Sequence, residues 1–190
     1  VGIELTEWEQ KLSDNYRDKL SGWGKICYFI MGNAGSGTRL AQRIIGSSPN
    51  VYNDGIPGFK SRQDMGDWRN INAKRIVFKR DGGWQPRVNL NKVSGDLRKA
   101  YWNIYWIFTI RRPARYELHG KPQRIIEYMQ SVMPQDLFVI WDSSLLFAEP
   151  ARFLGEMEQL LNLDFSAFNE EIYNADDKWL EFHNVNGGTE

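Results

Sequence analysis

The stretch Lys25–Gly46, KICYFIMGNAGSGTRLAQRIIG, constrains this chain more than any other. It opens on an unbroken apolar run, Ile26–Met31, the pattern of a strand covered on both faces. Gly32-Asn33-Ala34-Gly35-Ser36-Gly37 follows directly, and Thr38–Ile45 then carries apolar residues at helical spacing. Strand, tight turn and helix in that order bring backbone N–H groups and the positive end of a helix to one point, where an anion is held. Glycines suit the turn because the chain must curl sharply and side chains would keep a phosphate away. The competing reading is an ordinary strand-to-helix turn that binds nothing. Three glycines within six residues of a buried strand favour the anion.

Gly32 to Arg39 nearly fits the phosphate loop G-x-x-x-x-G-K-[ST]. Thr38 stands where the lysine belongs, and Arg39 stands where the magnesium-binding hydroxyl belongs. The cradle is therefore expected without the point charge and metal ligand of a nucleotide triphosphatase. Ser36-Gly37-Thr38, between a strand and a helix, resembles the 5′-phosphosulfate loop of the PAPS-dependent sulfotransferases, which work without a metal. Their usual Pro-Lys/Arg-Ser-Gly-Thr-Thr falls on Ala34-Gly35-Ser36-Gly37-Thr38-Arg39. Gly35 replaces the basic residue, and Arg39 is the nearest substitute for its charge.

A second stretch, Ile104–Gly120, reads IYWIFTIRRPARYELHG. Tyr105–Ile110 is aromatic and β-branched, the composition of a central strand. Arg111-Arg112-Pro113 stops it, because Pro113 restricts both itself and its predecessor. Arginine is thereby expected at the carboxyl end of a central strand, where open α/β sheets bind ligands and a guanidinium grips phosphate with two parallel bonds. The same residues also read as a basic surface turn. The Arg-x-Pro arrangement resembles the sulfotransferase 3′-phosphate site, in which a serine follows the arginine by eight residues. His119 holds that eighth place here.

Further segments resemble the same family in the same order. Ser48-Pro49-Asn50-Val51 is similar to its His-Pro-x-Val segment, beyond which lies an acidic base; Asp54 is the carboxylate at that place. Asn53-Asp54-Gly55 is equally a turn signal. Lys74–Arg80 reads as a short buried strand with basic ends, and the resemblance turns Lys79 or Arg80 toward the sulfonate. Leu137–Trp141 reads as another buried strand, and Asp142, Leu145, Pro150 and the helix Ala151–Leu161 resemble the family's strand, Tyr-Glu-Asp-Leu, proline and helix. Asp142 is expected to cap a helix or accept a structural hydrogen bond, not to catalyse. Thr6–Leu20, Lys92–Trp102 and Pro122–Met133 read as packing helices, and Lys178-Trp179 resembles a pair near the family's end. In all, the resemblance runs from about Lys25 to Leu163.

Composition bounds what remains. The 190 residues suit one domain with a full core, residues 1–24 forming an N-terminal helix and lead-in and residues 164–190 a tail. A formal net charge of zero gives no electrostatic case for nucleic acid or an anionic membrane. The single cysteine, Cys27 in the first strand, excludes a disulfide framework and fits a reducing compartment. No bilayer-spanning apolar stretch, signal sequence or metal-spaced His/Cys cluster is visible. The expectation is a cytoplasmic three-layer α/β domain: a central parallel sheet flanked by helices, with a P-loop-like turn after the first strand.

The resemblance implies sulfonate transfer from PAPS to a hydroxyl or amine of a small molecule or glycan, without a metal. Gly35, Ser36, Gly37, Thr38, Arg39, Arg111 and His119 would hold the donor; Asp54 would be the base and Arg39 would neutralise the transferring group. The alternatives are a P-loop small-molecule kinase or NTPase, and a catalytically inactive nucleotide-binding domain of the same fold.

Overall fold

The computed structural model describes residues 14, 16–32, 36–53, 71–81, 90–111 and 136–172. The apolar run behind Lys25 forms β1 (Ile26–Gly32), whose seven residues are all buried. The chain continues through α1 (Thr38–Ser47), β2 (Val51–Tyr52), β3 (Arg75–Asp81), α2 (Leu90–Lys99) and β4 (Asn103–Ile110). The last described elements are β5 (Leu137–Asp142), α3 (Ser143–Ala148) and α4 (Pro150–Leu161). A helical segment at 16–21 precedes β1.

Among the described residues five strands form one sheet in the order β2-β3-β1-β4-β5, and every pairing among them is parallel. Parallel strands need covered faces, and β1 and β4 accordingly read as near-continuous apolar runs. One face packs Tyr28, Ile30, Tyr105 and Ile107 against Ala41, Ile44 and Ile45 of α1 and Phe153, Met157 and Leu161 of α4. The opposite face packs Phe29, Met31, Trp106 and Phe108 against Leu97 and Ala100 from the region of α2. The connection through α1 moves toward β2, while that through α2 crosses back past β1 to β4. Opposite directions with helices on opposite faces are what a single crossover hand demands.

Two buried polar clusters fix the helices against this sheet. Tyr28 and Tyr105 donate to the carbonyls of Leu161 (2.8 Å) and Leu160 (3.0 Å), closing the last turn of α4. Burial pushes the Tyr28 phenol up to about 12, so it stays a donor through the neutral range. On the other face, Asp136 accepts from Trp106 Nε1 at 2.8 Å and pairs with Arg98 of α2 at 2.6 Å. Cys27 is a buried free thiol whose pKa burial pushes well up, which makes it unreactive.

Two boundaries differ from the sequence reading. The helix expected over Lys92–Trp102 ends at Lys99, because Trp102 is drawn into the core and Tyr101 turns the chain with φ 65°. Residues 143–148 form a short helix that apolar spacing over so few residues does not signal. Among the described residues no helix is long and apolar enough to cross a membrane. The helix read over Pro122–Met133 and the Lys178-Trp179 pair lie outside the described residues.

Candidate functional site

In this strand order, β1 and β4 are neighbours whose chains leave in opposite directions, β1 toward β2 and β4 toward β5. The carboxyl ends of such a pair open a crevice at the topological switch point of the sheet. Gly32 lies beside Thr109 in the register, so the glycine turn and Arg111 emerge from adjacent strands about 5 Å apart. The two stretches that stand out in the sequence therefore meet at one place.

Gly37 is the N-cap of α1 at φ 93°, a left-handed conformation that glycine adopts without steric cost. The N-cap residue contributes no side-chain hydrogen bond, and the first turn holds no acidic residue. The first backbone bond into the helix runs from Ala41 N to Gly37 O at 3.0 Å, so the N–H groups of Thr38, Arg39 and Leu40 have no acceptor within it. Thr38 is buried and Arg39 is exposed in that first turn.

The loop is locked from beneath. Ser36 Oγ lies 2.6 Å from Thr109 Oγ1, and Thr109 Oγ1 in turn donates to Met31 O at 3.2 Å. With the Thr109 proton used on Met31, Ser36 is the donor in their pair, and its hydroxyl faces inward. Ser143, the first residue of α3, donates to Ser36 O at 2.7 Å. A Cβ at Gly32 would overlap Thr109 Oγ1 and Ser36 Oγ, and one at Gly37 would overlap Ser143 Oγ. β4 and α3 thus close on the turn, and only glycine fits at either position.

Arg111 is half-buried, its guanidinium 5.3 Å from the centroid of the Phe147 ring. Phe147 rides on α3, whose N-terminus Asp142 caps by accepting from Ser144 N at 2.9 Å. The capping role expected for Asp142 is the one it has. Lys79 is buried on β3, on the sheet face that α1 covers and two residues before the carboxyl end of its strand.

Of the residues expected in the site, Ser36, Gly37, Thr38, Arg39 and Arg111 gather at this edge. Gly35, Asp54 and His119 lie outside the described residues. Asn53, the neighbour of Asp54, is held at the end of β2 by Gln42 of α1, whose Nε2 donates to Asn53 Oδ1 at 3.2 Å. Thr109, Ser143 and Phe147 escape the sequence reading. Thr109 left a trace as the one aliphatic hydroxyl in the apolar run of β4; Ser143 and Phe147 left none, since their roles depend on how β5 sits beside β4. Among the described residues, no three His, Cys, Asp or Glu side chains are grouped to hold a metal ion.

No protein-family model matches the sequence, and no curated protein matches it. An unliganded sugar kinase from Janibacter sp. HTCC2649 is a similar solved structure, with a TM-score of 0.40 and 10% identity over 77% of this chain and 99% of that one. At that TM-score the likeness assigns no activity to this chain. The architecture itself is α/β, an all-parallel five-stranded sheet with helices on both faces.

Proposed function

We propose that this edge binds the phosphates of PAPS and that the protein transfers its sulfonate to a hydroxyl or amine. The observation that carries the proposal is the adjacency of the N-terminus of α1, reached through Gly37, to Arg111 at the end of the neighbouring strand. The two hold anions in different ways. The first offers backbone donors to a 5′-phosphosulfate, and the second offers a fork of donors to a separate phosphate such as the 3′ group. A chain binding a single triphosphate through a lysine would need that cation at position 38, where a threonine is buried.

In the transfer, the bond between sulfur and the 5′-phosphate oxygen breaks as a bond from sulfur to the acceptor oxygen or nitrogen forms. The acceptor proton passes to a base, which in this reading is Asp54, and adenosine 3′,5′-bisphosphate leaves. Ser36, Gly37 and Thr38 hold the leaving phosphate through N–H groups fixed before the ligand arrives, where preorganised donors are most effective. Arg39 supplies the charge that Gly35 does not, while Lys79 adds a second cation from beneath α1.

Turnover of PAPS against a panel of hydroxyl and amine acceptors tests this reading. Transfer to at least one acceptor is expected, with Arg39→Ala lowering the rate about a hundredfold and bisphosphate affinity much less. Tight bisphosphate binding with no transfer to any acceptor would instead make the chain an inactive nucleotide-binding domain.

A further inference from the structure

A cavity of about 670 Å³ opens at the other edge of the sheet, at the amino ends of β2 and β3. β3 is seven residues long, so this cavity lies about 20 Å from the glycine loop. Its described walls carry the amides of Asn50 and Asn72, the phenol of Tyr52, and the cations Lys74 and Arg75. Val51 and Ala73 supply small apolar surface between them. No carboxylate is among the described lining residues.

The walls are held in place by the fold. Val51 and Arg75 are register partners on adjacent strands, which sets the two sides of the cavity level. Asn50 turns the chain from α1 into β2 with φ 67°. Lys74 O accepts from Ile26 N at 2.9 Å, which pins the backbone while the side chain stays exposed. Arg75 Nη1 donates to Asn162 O at 2.9 Å, fixing the guanidinium against the end of α4. Neither cation pairs with a carboxylate among the described residues, in a chain where Arg17, Arg43, Arg98, Lys99 and Arg152 all do.

We propose that this cavity binds a small hydroxylated organic anion, a polyhydroxy acid or its phosphate ester, at a site separate from the glycine loop. Lys74 and Arg75 meet the negative group with charge-assisted bonds. Asn50 and Asn72 each present a donor and an acceptor, the combination that pairs with hydroxyls. Tyr52, 44% exposed, offers a ring face to the carbon skeleton. The volume is within the range of small-molecule sites, about 300–1,000 Å³.

Calorimetric titrations with D-gluconate and glycerol 3-phosphate, and with sorbitol as the neutral control, test the site. At least one anion binds and sorbitol does not; which anion binds identifies the carboxylate or the phosphate as the recognised group. Lys74→Glu weakens that binding about tenfold or more, Asn72→Ala weakens it less, and Arg111→Ala leaves it unchanged. Lys74 is exposed, and the melting temperature of its variant is expected to match that of the unaltered protein. Binding of neither anion, equal binding of sorbitol, or loss of binding in Arg111→Ala but not in Lys74→Glu overturns the proposal.

Discussion

Thr109→Val exposes how the glycine loop is held. The substitution keeps the shape of the side chain but deletes Oγ1, which lies 2.6 Å from Ser36 Oγ and donates to Met31 O at 3.2 Å. Ser36 and Thr109 are 3% and 4% exposed, so water does not replace the lost partner. A buried hydroxyl stripped of its acceptor costs about 1–3 kcal/mol, and a neutral hydrogen bond is worth about 1 kcal/mol net. Thr109→Val is therefore expected to lower unfolding free energy by about 2 kcal/mol, and Ser36→Ala by about 1 kcal/mol. The double variant leaves no hydroxyl stranded between these positions. It should be more stable than the sum of the single losses predicts by about 1 kcal/mol. Urea denaturation of the four proteins closes the cycle, with equal m-values as the check that the unfolded states match. Strictly additive losses would show that the two hydroxyls do not support one another, and the preorganised loop would lose its physical basis.

Other consequences are open to measurement. Gly37→Ala forces a Cβ onto Ser143 Oγ at φ 93° and should cost about 1–2 kcal/mol from backbone conformation alone; removing the hydroxyl with Ser143→Ala should not recover that part. Phe147→Ala removes the ring beneath Arg111 and should weaken bisphosphate binding by about 0.5–1 kcal/mol, whereas an unchanged affinity would separate that contact from the site. Burial raises the Asp136 carboxyl above its ordinary 3.8, against the lowering effect of Trp106 and Arg98. The native state then binds this proton more tightly than the unfolded chain, so its contribution is full below about pH 3.8 and is lost as pH rises through the native value. Stability curves of the unaltered protein and Asp136→Asn should differ by an amount that changes in that direction above pH 3.8; parallel curves would contradict it.

The sheet was legible because a buried parallel strand leaves a simple mark: Ile26–Met31 and Tyr105–Ile110 are apolar without alternation. The loop was legible for a similar reason, since Gly32 and Gly37 stand where any side chain would collide. Arg111 could be placed because Pro113 ends the run before it. Less could be read where a role depends on pairing between distant strands. The position of Ser36 beside glycines marks it as a phosphate ligand, but does not show that its hydroxyl is turned onto Thr109, 73 residues away. Ser143 and Phe147 act through the placement of β5 beside β4, which no local pattern encodes. The αL turn at Tyr101 was likewise hidden, because a bulky residue replaces the glycine or asparagine that would announce it.

The proposed function requires the loop at the end of β1 and the arginine at the end of β4 to hold two separate phosphates. Titration of adenosine 3′,5′-bisphosphate, adenosine 5′-phosphate and MgATP into the unaltered protein and Arg111→Ala tests this requirement. The bisphosphate is expected to bind without help from magnesium and to lose about 2–4 kcal/mol of affinity in Arg111→Ala, with the monophosphate barely affected. Equal losses for both ligands, or preferential binding of MgATP that disappears on chelation, would contradict the two-phosphate site, and the second result would point to a kinase.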